Sequence, residues 1–356
     1  MNKVVNPDMI ILARESRGLT QSALASLLSV TQAAISKMES DLLPVSPDML
    51  KELSEALCYP EHFFLLDEKI YGPGISGMGI IYHRKRKTIP LKTITCIQAQ
   101  TNIRRIHISK LLRNVEMESP YEIPHYDIDE YNGNIQEIAR NVRAAWRLPD
   151  GPIKNLTGSI ESAGGIVIKF DFGTTKIDAL SEYCPGLPPI FFINSKSPGD
   201  RLRFTLAHEL GHIVMHRVPN QDMEDEADRF ASEFLMPSIE MKPLLSNVTL
   251  SVLANLKMYW KVSMASILMK AHDLEKISSR NYSYLWMQMS KAGYRRREPV
   301  NVPSEEPTTF KKLMSRYKNE LNHNLSEISH VLALSEAETK LLYFQENNAP
   351  FLSVVK

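Results

Sequence analysis

The sequence predicts an α+β protein: an all-helical N-terminal helix-turn-helix module, then a domain with short strands around a long apolar helix, then a helical C-terminal extension. Three observations predict this class. Short helical segments with N-capping residues fill the first 60 residues. A His-Glu-x-x-His pattern, His208 to His212, lies inside an apolar helical run that follows the strand-like segment PPIFFIN (Pro188 to Asn194). Helical patterning then resumes over residues 248–298.

Length and composition set the frame. A chain of 356 residues with 43% hydrophobic content suits two or three domains with ample core. The expected partition is a helix-turn-helix module over 1–70, a basic then acidic helical connector over 71–130, the metal-helix domain over 131–245, and the extension over 246–356. Cys58, Cys96 and Cys184 are scattered without metal spacing. No apolar run approaches the roughly 20 residues of a membrane span, and no signal peptide is visible. A reduced cytoplasm without membrane contact is the expected setting.

Asn6 is placed to cap a first helix with Pro7 at its first position, and Gly18 to close it. Thr20 caps QSALASLL, and Ser29 and Val30 make a tight connection. Thr31 then caps QAAISKMES, which completes a helix-turn-helix, and Ser46 with Pro47 opens another helix that ends before Pro60. Ala25, Val30 and Ile35 supply the small and apolar contacts between the paired helices. Gln32, Ala33, Ser36 and Lys37 are thereby left outward on the second helix, toward a major groove, with Gln21 and Thr31 beside them. The pattern over residues 6–66 resembles the Cro/repressor (XRE) class, which implies a double-stranded operator and, on a palindrome, a homodimer. Two positions depart from that class: Ser29 and Asp41 stand where glycine usually permits a left-handed backbone. Residues 1–66 hold five Lys/Arg against eight Asp/Glu, a net charge of −3, so the module lacks a basic footprint of its own.

Residues 83–113 carry nine Lys/Arg and no acid, whereas residues 114–137 carry seven Asp/Glu and no Lys/Arg. The basic block is open to two readings, DNA phosphates or its own acidic neighbour as partner.

In FTLAHELGHIVMHR (Phe204 to Arg217), two histidines four apart project from one helical face and can share a Zn²⁺, with Glu209 beside them. Such a cation lowers the pKa of water from about 15.7 to about 7 and polarises a peptide carbonyl. Glu209 would then carry the proton to the leaving amine. The helix is apolar on both sides and therefore buried, and two imidazoles and a carboxylate are costly to bury without a metal. A catalytic zinc needs a third protein ligand. Residues 222–237 read as a second helix on which Glu224 and Asp228 share a face. That suits a ligand at Glu224 and, at Asp228, an acceptor for the outer N–H of a ligating imidazole. Glu226 points elsewhere and reads as a solvated charge. His216 extends the histidine row, but three ligands from one straight helix would span about 12 Å, so it is expected at the rim.

The stretch from Asp178 to Pro237 resembles the ImmA/IrrE family of metallopeptidases in DALS (Asp178 to Ser181), PPIFFIN, RLRFTLAHELGH (Arg201 to His212) and EDEADRFASEFLMP (Glu224 to Pro237). The resemblance implies a zincin-like domain with His208, His212 and Glu224 as zinc ligands, Glu209 as catalytic acid/base, and a position at Asp228 that the family also fills with Asn. It further implies a protein substrate, such as a repressor or antitoxin. The strand ending at Asn194 reads either as the edge beside the cleft, where an extended substrate adds, or as a core strand. In residues 248–298, WKVSMASIL resembles a degenerate helix-turn-helix, against the reading of a helical cap on the metal domain. Residues 298–307 are polar and Pro-rich and read as a linker to a short helical tail over 308–345. Two rival functions stand beside the peptidase: a transcription factor whose zinc is structural or senses a ligand, and a toxin-antitoxin component that acts by protein binding.

Overall fold

A computed structural model describes residues 4–68, 70 and 89–344. The chain divides into two compact units, one of Met1–Met117 with Phe310–Lys356, the other of Glu118–Thr309.

The first unit begins with α1 (Pro7–Ser16), α2 (Gln21–Leu27), α3 (Gln32–Glu39) and α4 (Pro47–Leu57). Each starts where its cap predicts. The side chains of Asn6, Thr20, Thr31 and Ser46 accept from the backbone N–H of Asp8, Ala23, Ala34 and Met49, and so satisfy donors that a helix start leaves open. Ser29 and Asp41 adopt φ of +54° and +57°, the left-handed backbone usually given to glycine. That geometry costs roughly 1–2 kcal/mol for a residue with a Cβ. At both turns the chain is closed by hydrogen bonds, Val30 N–H to Ala25 O (3.0 Å) and Leu42 N–H to Lys37 O (2.8 Å).

A long helix α5 (Leu91–Leu112) supplies Ile103, Ile106 and Leu111 to the core that also holds Met9, Leu24, Ile35 and Phe63. This settles part of the basic block. Arg104 and Arg105 are buried in the helix core, where they donate to Gln100 O and Asn102 Oδ1, and Arg113 pairs with Glu68 at 2.7 Å. Arg84 to Lys87 lie outside the described residues.

The second unit contains α6 (Ile135–Ala145), α7 (Leu156–Ser162), β1 (Ile166–Phe170), β2 (Ala179–Glu182), β3 (Ile190–Asn194), α8 (Gly199–Met215) and α9 (Met223–Leu235). Its sheet has the order β1-β3-β2, with β3 parallel to β1 and antiparallel to β2. The strand ending at Asn194 is therefore the central one, and the edge reading is corrected. Ile190-Phe191-Phe192-Ile193 is apolar on both faces and buried throughout, as a strand flanked by neighbours on each side requires. Among the described strands, β2 is the one at the end of the order beside α8.

Three further helices, α10 (Ser238–Leu244), α11 (Leu250–Trp260) and α12 (Met264–Asp273), are followed by α13 (Ser279–Lys291). Leu253, Trp260, Ile267, Leu268 and Met289 join the same core as Leu206, Leu210 and Phe230, so WKVSMASIL belongs to a helical cap rather than to a second reading head. Residues 298–309 are not a free linker. Glu298 accepts from Lys257 Nζ (2.6 Å) and Met264 N–H (2.9 Å), Glu305 pairs with Arg203 and accepts from Thr157 N–H, and Glu161 accepts from the N–H groups of Thr308 and Thr309. Gly199 is required beneath this strap, because a Cβ there would lie 2.4 Å from Val302 O.

The expected extension 246–356 is thus shared between the units. Within it, α14 (Thr309–Asn319), α15 (Leu325–Leu332) and α16 (Glu336–Thr339) follow, and Leu313, Tyr317, Ile328 and Leu332 are buried in the first core. Glu338 there takes a two-pronged pair from Arg17, at 2.8 and 3.0 Å.

Candidate metal centre

Helix α8 is amphipathic in an unusual sense: Leu206, Ala207, Leu210, Gly211 and Val214 are all buried, so the helix crosses the interior and carries its polar residues with it. Gly211 faces the ring of Phe230 on α9, and a Cβ at that position would sit 3.0 Å from Cδ1. The missing side chain lets the two helices approach closely, and this brings the acidic first turn of α9 up to the histidines.

The Nε2 atoms of His208 and His212 face each other at 3.0 Å, and Glu224 Oε1 lies 3.6 Å from His212 Nε2. One donor atom from each of the three residues falls within 4.8 Å of the others, and among the described residues this is the sole such cluster of His, Cys, Asp or Glu. The donor set fits zinc. Two imidazole nitrogens on one tetrahedral ion, each about 2.0–2.1 Å from it, stand about 3.3 Å apart, close to the spacing seen here. A carboxylate oxygen as third donor is a common completion of such a site.

Around these three lies a second layer. Asp228 Oδ1 accepts from His208 Nδ1 at 2.7 Å, so the face shared by Glu224 and Asp228 serves both residues. Glu209 turns to the other side, where its Oε2 accepts from Ser181 Oγ at 2.6 Å. Ser181 lies within edge strand β2, and nothing in the residue pattern marks its contact with Glu209 beyond its place in DALS. His216 is not at the rim. Its side chain is 2% exposed, with Nδ1 3.0 Å from His212 Nδ1 and Nε2 3.0 Å from Glu226 Oε2. Glu226 points away from the metal cluster as expected, yet it is not a solvated charge: it is the partner of His216 and also accepts from Asn220 Nδ2 at 3.3 Å.

The electrostatics divide the row of imidazoles. Burial disfavours a charged His208, but the bonded Asp228 carboxylate, with Glu209 and Glu224 nearby, outweighs it and raises the pKa. For His216, burial and then the adjoining His212 ring push the pKa down to about 4, against the pull of Glu226. Close by, the Arg217 guanidinium lies 4.1 Å over the ring of Tyr183, just beyond β2.

The sequence-expected DNA contacts sit in the other unit. Thr31, Gln32, Ala33 and Lys37 are exposed, and Ser36 and Gln21 are half-buried. The Thr31 hydroxyl is engaged in capping α3. Gln32 Nε2 donates to Gln21 Oε1 at 2.7 Å, Gln21 Nε2 donates to Glu39 Oε2 at 2.7 Å, and Glu39 is held by Arg14 at 2.5 Å.

Fold and site together define a DNA-binding module joined in one chain to a metallopeptidase-type domain. Residues 10–63 match the helix-turn-helix family, and residues 160–272 match the Peptidase M78 family, described as the IrrE N-terminal-like domain. The second match spans the sheet, the metal helix and the cap through α12. The chain is a fusion of the two, a regulator with a protease-like domain. A search among curated proteins finds no match. No described helix is long and apolar enough to cross a membrane.

Proposed function

We propose that the protein is a cytoplasmic DNA-binding regulator whose M78-type domain is a zinc-dependent endopeptidase for a protein substrate, such as a repressor or antitoxin. The observation that carries this reading is the convergence of His208, His212 and Glu224 beside a Glu209 that is held by Ser181 rather than drawn into the cluster. Among the described residues no fourth His, Cys, Asp or Glu joins the three, whereas a structural zinc site usually closes with four protein ligands.

In this reading His208, His212 and Glu224 hold the ion, which acidifies water and polarises the scissile carbonyl when bound. Glu209 accepts the proton of the attacking water and delivers it to the leaving amine. Ser181 donates to one oxygen of that carboxylate and leaves the other for the proton. Asp228 keeps the hydrogen of His208 on Nδ1, so that Nε2 presents a lone pair inward. Among the described strands β2 is the one that carries the residue holding the base, which would set an extended peptide near Glu209.

On the DNA side, Gln32, Ala33, Ser36 and Lys37 would face the major groove of a double-stranded operator, with Gln21 and Thr31 at the border of the contact. A homodimer would read a palindrome.

Incubation with the products of neighbouring genes tests the peptidase. Wild type should cleave a partner and chelator should stop it. Glu209→Gln should keep zinc while cleavage falls about 10²- to 10⁴-fold. Cleavage by the Gln variant near the wild-type rate would sink the mechanism.

A further inference from the structure

We propose that Glu226 and His216 form a positioning relay that fixes His212 toward the metal, an inference that rests on the zinc reading above. The geometry is a chain of contacts: Glu226 Oε2 to His216 Nε2 at 3.0 Å, then His216 Nδ1 to His212 Nδ1 at 3.0 Å, then His212 Nε2 facing His208 Nε2 at 3.0 Å.

Donor and acceptor rules fix where every hydrogen lies. An ionised carboxylate only accepts, so His216 carries its hydrogen on Nε2. Its Nδ1 is then a lone pair, and the short contact with His212 requires the hydrogen to come from His212 Nδ1. That leaves His212 Nε2 as a lone pair. By the same reasoning the hydrogen of His208 sits on Nδ1, against Asp228, and its Nε2 is a lone pair as well. Both inner lone pairs then face one point, as donors to a single cation must. The relay therefore presets His212 as a ligand whose Nε2 faces that of His208.

The two orienting devices differ in exposure. The Asp228 side chain is 50% exposed, whereas His216 and Glu226 are 2% and 15% exposed. Water competes for the first contact and scarcely for the second. His212 is accordingly the firmly preset ligand, with its tautomer fixed before metal arrives. Asn220 steadies the far end by donating to the oxygen of Glu226 that His216 uses.

The test is zinc affinity of the full chain, measured by chelator competition, with the visible spectrum of the cobalt-substituted protein as a second readout. His216→Phe keeps a ring and removes both nitrogens, Glu226→Ala removes the terminal acceptor, and His216→Gln keeps an acceptor for His212 with a donor for Glu226. The first two should lose zinc affinity about 10- to 100-fold and shift the cobalt bands, while His216→Gln stays near wild type. The double variant His216→Phe/Glu226→Ala should be no weaker than His216→Phe alone, because Glu226 acts through His216. A residue that only supports the fold would lower thermal stability of the metal-free chain and leave affinity unchanged. Unchanged affinity in His216→Phe and Glu226→Ala, or equal losses in the Gln and Phe variants, or losses that multiply in the double variant, would each overturn the relay. If wild type failed to bind zinc, or bound it equally well after Glu224→Ala, the zinc reading itself would fall, and the relay with it.

Discussion

The two units handle buried charge in opposite ways. In the helix-turn-helix, Arg14 and Glu39 answer each other inside the fold, and Glu39 then holds Gln21, which holds the exposed Gln32. Charge is closed at the centre and polarity is handed outward to the surface. In the metal domain, Asp228 and the Glu226–His216 pair stand outside and turn the lone pairs of His208 and His212 inward to one point. The first arrangement closes on itself; the second gathers its donor atoms at one point. A buried polar cluster therefore says little until one asks in which direction its last hydrogen bond points.

The largest expected effect tests closure in the first unit. Glu39→Ala leaves the guanidinium of Arg14 buried with its main partner gone, and losing one member of a buried pair costs about 3–5 kcal/mol. Denaturant unfolding of the N-terminal unit within the full chain should show that loss, and Gln32→Ala should not. A loss below about 1 kcal/mol, the level of an exposed pair, would mean that the pair is not the closed centre described here.

Much of this was legible in the sequence because it is local. Asn6, Thr20, Thr31 and Ser46 cap their helices through contacts two or three residues away, and the four-residue spacing of His208 and His212 needs only one helical turn. Even the turns at Ser29 and Asp41 fall where the pattern puts them, since the turn geometry outweighs the preference for glycine. What escaped depends on distant segments. β3 is central because β1 and β2 pair on either side of it, and its own residues suit an edge or a core. His216 reads as a rim residue because only the path through residues 217–222 brings Glu226 against it. The stretch 298–309 reads as a linker because Glu298 and Glu305 find Lys257 and Arg203 many residues away.

Next in size is the test of convergence in the second unit. Glu224→Ala removes a donor to the metal and should weaken zinc binding well beyond the 10- to 100-fold expected for Asp228→Ala, which removes an orienting hydrogen bond only. Chelator competition separates the two. An Asp228 variant weaker than the Glu224 variant would mean that the carboxylate roles are exchanged.

The smallest effect concerns the outward end of the first network. Gln32 is exposed, so its substitution changes no core packing, and its amide is held by Gln21 in one orientation before DNA arrives. An amide held in this way can offer its oxygen and remaining hydrogen to a base edge without first being ordered. Gln32→Ala and Ser36→Ala should therefore each reduce discrimination between operator and unrelated duplex by about 1–3 kcal/mol, while binding to unrelated duplex stays as it was. Neutralising Arg84 to Lys87 should do the reverse: affinity falls for every sequence, and the slope of affinity against salt flattens by about 0.9 for each phosphate no longer neutralised. Titrations at two salt concentrations distinguish the patterns. If Gln21→Ala relaxed specificity while Gln32→Ala did not, base reading would belong to the start of α2, and the outward hand-over from Glu39 would stop one residue short of the groove.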